Sequence, residues 1–135
     1  MELTTSPIFQ SAIYRTEAPQ YLDLLNLVCD PFIVEAKKKT APQIVSREAK
    51  AGKDIGDIGL SYHTENLMKQ AELYQFRRFI KSTSENILDA QGYDLKDYDL
   101  KFTEMWCQEF ANQGGGHHDT HIHWNNHISG FYFLK

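Results

Sequence analysis

Histidines dominate the chemistry available to this chain. Five of its six fall in one eleven-residue stretch, inside G-G-G-H-H-D-T-H-I-H-W-N-N-H. The stretch offers His117, His118, Asp119, His121, His123 and His127. Neutral imidazole is the commonest protein metal ligand. On extended backbone, side chains at i and i+2 point to the same side. His121 and His123 are therefore spaced to share one ion. His117 and Asp119 form a second H-x-D pair with the same spacing, so the register of a metal site stays open between the two. A polar loop between strands would also explain many histidines. It would not explain an H-x-H that leads directly into the apolar run I-S-G-F-Y-F-L.

Other residues carry weaker signals. His63 lies just before a candidate helix cap and reads as a surface or turn histidine. Lys37-Lys38-Lys39 reads as a solvated helix end rather than a phosphate site. Cys29 and Cys107, the only cysteines, lack C-x-x-C spacing and read as reduced core thiols.

The elements that would position the histidines follow from periodicity. A chain of 135 residues suggests one domain, residues 1–135. Ile8 to Arg15 reads as a first strand. Pro19 opens a helix over about 19–29. Pro31 breaks or restarts it, with helix resuming through F-I-V-E-A-K-K-K. Residues 40–60 contain Pro42, Gly52, Gly56 and Gly59 and read as a long loop. Thr64 caps a long helix over 65–90, burying Leu67, Ala71, Phe76, Phe79, Ile80, Thr83 and Ile87. Gly92 is its stop. Beyond it the period changes to two. D-L-K-F-T-E-M-W-C-Q-E-F places Leu100, Phe102, Trp106 and Phe110 on one face of a long strand. Gly114-Gly115-Gly116 make a turn, and Ile128 to Leu134 read as a strand buried on both faces. The order, helices over 1–96 and then strands over 97–135, is an α+β layout.

Composition excludes some classes. The net charge of −4 argues against nucleic-acid binding through a basic surface. No segment is long enough to span a bilayer, and the N-terminus M-E-L-T-T-S-P lacks the features of a signal peptide. A cytoplasmic protein is the expectation.

One family resemblance stands out. M-W-C-Q-E-F, a glycine turn, then H-I-H-W-N-N-H-I-S-G-F-Y-F-L resembles the 2-oxoglutarate/Fe(II)-dependent oxygenases. It looks closest to a small branch from bacteria and marine phages with an H-x-H…S-G-x-Y-Y-L-like motif. S-Y-H-T-E-N-L and the helix after it also resemble that branch. The resemblance is good over residues 60–135 and loose elsewhere. It implies a helical N-terminal half packed on a double-stranded β-helix (jelly roll), with 97–135 as its first strands. It implies Fe(II) as cofactor, 2-oxoglutarate and O2 as cosubstrates, and hydroxylation of a C–H bond in an organic substrate chosen by later strands and loops. His121 and His123 would take the H-x-D positions, with His123 where the family has a carboxylate. His117 and Asp119 are the alternative. Asn125 and Tyr132 would contact cosubstrate or substrate, and Trp106 and Phe110 would pack the barrel. If phage-encoded, the protein would act in the host cytoplasm.

Two rivals use the same residues. Gly115, five residues, then His121-x-His123 is similar to a cupin metal motif, which would make this a jelly-roll metal-binding module. T-H-I-H-W-N-N-H is similar to the zinc motif of metallo-β-lactamase-like hydrolases, with an insertion and Asn126 in place of an Asp. A jelly roll needs about eight strands, or about 65–95 residues. The segment from Asp97 holds only part of that, with no distal His and no cosubstrate-binding Arg. The expectation is an N-terminal fragment, its sheet incomplete, unstable and inactive as an oxygenase on its own.

Overall fold

A computed structural model describes residues 12–134. Its first element is α1, Leu22–Ala51, entered through a single 3-10 turn at Pro19–Tyr21. The helix start at Pro19 agrees with the sequence. The expected break at Pro31 and the expected loop over 40–60 do not form. Pro31 and Pro42 both lie inside the helix. Each removes one backbone donor and crowds the preceding turn, a penalty of about 3 kcal/mol. Burial offsets it: Leu25, Cys29, Ile33 and Ala36 recur along one stripe and are all buried. The helix stops at Gly52, whose φ of 65° is left-handed and whose N–H bonds the Glu48 carbonyl at 2.9 Å.

The chain then forms a short strand where the sequence suggested loop and cap. β1, Ser61–His63, pairs antiparallel with β2, Gln108–Phe110, in the register Ser61 with Phe110 and His63 with Gln108. Backbone bonds extend this alignment in both directions, from Ala111 N to Leu60 O (3.0 Å) and from Leu67 N to Met105 O (2.7 Å). Thr64 is drawn into it. Its Oγ1 accepts from Cys107 N at 2.9 Å, so it does not cap a helix. The second helix accordingly begins later than expected. α2 is Tyr74–Ala90, preceded by a 3-10 turn at Ala71–Leu73, and it buries Phe76, Ser84 and Leu88. Its end agrees with the sequence: Gly92 has φ 89° and its N–H reaches the Asp89 carbonyl.

The expected helix-on-jelly-roll architecture is not what the chain forms. Among the described residues there are two α-helices and one two-stranded sheet. Of the long strand expected over 99–110, three residues pair. Among the described residues, Ile128 to Leu134 pair with no strand, and they are not buried on both faces. Ile128, Tyr132 and Leu134 turn inward, while Phe131 and Phe133 are 85% and 80% exposed. The alternation was a genuine strand signal, but a ladder needs a partner edge, and β1 offers only three residues. Of the expected first strand, residues 8–11 lie outside the described residues and Ala12 to Arg15 carry no strand pairing.

The core sits between the helices. Leu25, Cys29 and Ile33 of α1 meet Leu67, Leu73, Phe76 and Cys107, with Tyr21, Phe79, Met105, Tyr132 and Leu134 packed around them. Cys29 and Cys107 share a hydrogen bond, and that bond, with burial, pushes the Cys29 thiol far up. An ion pair between Lys37 and Glu109 ties α1 to β2, with the Lys37 ammonium also 5.3 Å from the Tyr62 ring centre. Lys37 is thus a structural partner rather than part of a solvated helix end. No helix among the described residues is long and apolar enough to cross a membrane.

Candidate metal centre

The two strands hold the start of the histidine segment. Ser61 Oγ of β1 donates to the His117 carbonyl at 2.7 Å. Gln108 of β2 places its Oε1 3.1 Å from His118 Nδ1. The glycine turn makes this approach possible. Gly114 and Gly115 have φ values of 82° and 71°. A Cβ on Gly116 would lie 2.7 Å from the Leu60 carbonyl oxygen and 3.0 Å from the Phe110 side chain. Only glycine lets the segment come this close to the sheet.

His121 and His123 meet as their spacing suggests. Their Nε2 atoms are 3.0 Å apart. His121 Nδ1 lies 2.8 Å from the Asp119 carbonyl. A carbonyl only accepts, so Nδ1 carries the proton, and in the neutral ring Nε2 carries the lone pair. This is the backing bond typical of a metal-ligating histidine. Two imidazole nitrogens bound at about 2.1 Å and at a right angle around one ion lie about 3.0 Å apart. The pair therefore already has the spacing of two adjacent ligands. Without an ion, the same spacing serves one N–H···N hydrogen bond donated by His123.

The alternative pair is looser. His117 Nε2 is 3.4 Å from Asp119 Oδ1, with side chains 70% and 94% exposed. Solvent competes for both partners, and no backing bond to His117 Nδ1 is present among the described residues. Asn125 is exposed in a turn with φ 59°, and Tyr132 packs edge-on against Phe76 with its hydroxyl donating to the Ala18 carbonyl at 2.8 Å. His127 packs edge-on against Tyr93.

Two residues join the site that the sequence reading set apart from it. His63, the last residue of β1, has its ring centre 5.3 Å from that of His118. Trp106 is near parallel to both His63 (6.2 Å, 24°) and His123 (6.3 Å, 19°). The rings form a chain: His63 to His118, His118 to His121 at 4.4 Å, His121 to His123 at 4.8 Å. Burial, and then the charge of His118, hold His63 below the usual imidazole range, so it favours the neutral form. The alternation in S-Y-H, before Thr64, was the sequence signal for His63 on a strand. Among the described residues no three His, Cys, Asp or Glu side chains converge as a preformed metal site.

The chain matches no family model, no curated protein and no solved structure. The oxygenase resemblance therefore rests on its motif alone.

Proposed function

We propose that this chain binds a divalent transition-metal ion through His121 and His123, and that the ion serves a non-haem Fe(II)- and 2-oxoglutarate-dependent oxygenase reaction. The observation that carries the metal reading is the 3.0 Å separation of the two Nε2 atoms, with the His121 tautomer set by the Asp119 carbonyl. Two imidazole nitrogens at this spacing suit a divalent transition metal and leave positions open; the oxygenase facial triad adds a carboxylate, which is not in contact with the pair among the described residues. The motif resemblance adds 2-oxoglutarate and O2 to those positions. The jelly roll is no part of the proposal.

When bound, the metal would supply the redox chemistry. The chain's own residues hold it: Asp119 orients His121 through its backbone carbonyl, and Trp106 lies alongside His123. His121 is exposed and His123 partly so, which leaves the pair accessible to an organic substrate.

The resemblance implies a distal His and a cosubstrate-binding Arg beyond these residues, so anaerobic addition of 2-oxoglutarate to the Fe(II)-loaded protein that carries them tests the oxygenase reading. A visible charge-transfer band, lost in His121→Ala, is the expected result. Metal binding without a band removes the oxygenase assignment. It leaves a metal-binding module, a reading favoured by the imidazole neighbours and by the lack, among the described residues, of a carboxylate in contact with the pair. Failure to bind Fe(II), Co(II) or Zn(II) removes both.

A further inference from the structure

We infer that His118 is the third protein ligand of the ion held by His121 and His123, and that Gln108 of β2 positions it. The inference rests on the metal reading of the His121/His123 pair and goes beyond its H-x-H motif.

His118 is in contact with the pair. Its ring centre is 4.4 Å from that of His121, against 4.8 Å between His121 and His123. Imidazoles bound through Nε2 at a right angle on one ion have centres about 4.6 Å apart. Both separations lie close to that value. The tautomer also fits. Gln108 Oε1, an acceptor, faces His118 Nδ1 at 3.1 Å, and a proton on Nδ1 in this contact leaves the lone pair on Nε2. His118 and His121 thus carry the same arrangement: Nδ1 backed by a carbonyl-type oxygen, Nε2 available. One backing oxygen is main chain, and the other comes from a strand.

Gln108 is itself held. It pairs with His63 across the sheet, and among the described residues its buried Nε2 has no hydrogen-bond partner. His63 packs against His118 as well.

The three nitrogens are not preassembled around a common centre. His118 is exposed, so its side chain has room to shift toward an ion held by the other two. The result is a three-imidazole set without a carboxylate. Such a set suits zinc, copper, nickel or iron, and leaves room for water or a small anion.

Co(II) titration of the full 135-residue chain, followed by visible absorption, tests this alongside long-range 1H–15N spectra of the Zn(II)-loaded chain. One ion per chain and three imidazole Nε2 signals shifted by metal are expected. His118→Ala should weaken Co(II) binding roughly 100-fold, and Gln108→Leu roughly tenfold, as for the loss of a ligand's backing bond. His127→Ala, which packs on Tyr93, is the control. If the wild-type chain binds no ion, the underlying metal reading fails. If it binds, His121→Ala abolishes binding, and only two imidazoles shift or His118→Ala binds unchanged, the third-ligand inference fails while the metal reading stands. The spectra of the wild-type chain decide the point even if a variant folds poorly.

Discussion

At the residue scale, the site depends on small geometric permissions. Gly116 is the sharpest. Its missing side chain lets the histidine segment lie against Leu60 and Phe110. Gly116→Ala should cost about 1–3 kcal/mol, the usual penalty for forcing atoms into a packed contact. It should also weaken metal binding, because relief of the clash moves His117 and His118 away from the strands. Urea titration beside a Co(II) titration would measure both. A variant with unchanged stability and affinity would show that the turn does not hold the site. Asp57 is a second such point, in the loop before β1. Burial pushes its carboxyl up. Hydrogen bonds from the Tyr62 hydroxyl, the Asn112 and Gln113 amides and its own N–H outweigh this and hold it below its ordinary 3.8. A folded value below the unfolded one gives stability that is complete above the unfolded value. That stability is lost as pH falls through the folded value. Acid unfolding should therefore begin below about pH 4, and Asp57→Asn should remove the Asp57 share of that pH dependence. Parallel acid titrations of the two proteins by circular dichroism would check it. Identical curves would contradict the assignment.

At the element scale, the legible and illegible parts of the sequence separate on physical grounds. The end of α2 was legible, because Gly92 supplies a left-handed stop that few other residues tolerate. The H-x-H spacing was legible, because extended backbone repeats every two residues. The continuity of α1 was not. Proline is a strong local signal against a helix, and its penalty is overcome by contacts that are remote in sequence, such as those of Ile33 with the residues around Phe76 and Cys107. Local propensity loses there to tertiary burial. Thr64 misled for a similar reason. A threonine before an apolar run is a good cap, but its hydroxyl is used across the sheet by Cys107, 43 residues away. If Pro31 sits within a continuous helix, Pro31→Ala restores a backbone donor and relieves crowding. It should stabilise the protein by about 1–3 kcal/mol. Denaturant unfolding gives the number, and a destabilised Pro31→Ala variant would contradict the continuous helix.

At the scale of the whole molecule, the helices provide the core and the short sheet provides the connection to the site. β1 brings Ser61 and His63, β2 brings Gln108, and both strands lie against α1 through the Lys37–Glu109 pair and the Tyr62 ring. The alternating pattern after Asp97 suggested many strands. It produced one short ladder because strand pairing depends on a second edge, which no single segment encodes. His63 was missed for the same reason, since its neighbours come from a segment more than forty residues later. The central claim is that His121 and His123 hold one divalent ion through their Nε2 atoms. X-ray absorption of the anaerobic Fe(II)-loaded chain tests it most directly. At least two imidazole nitrogens are expected at about 2.1 Å from the metal, with their scattering lost in the His121→Ala/His123→Ala double variant. A spectrum with only oxygen neighbours, or one unchanged in the double variant, would contradict it.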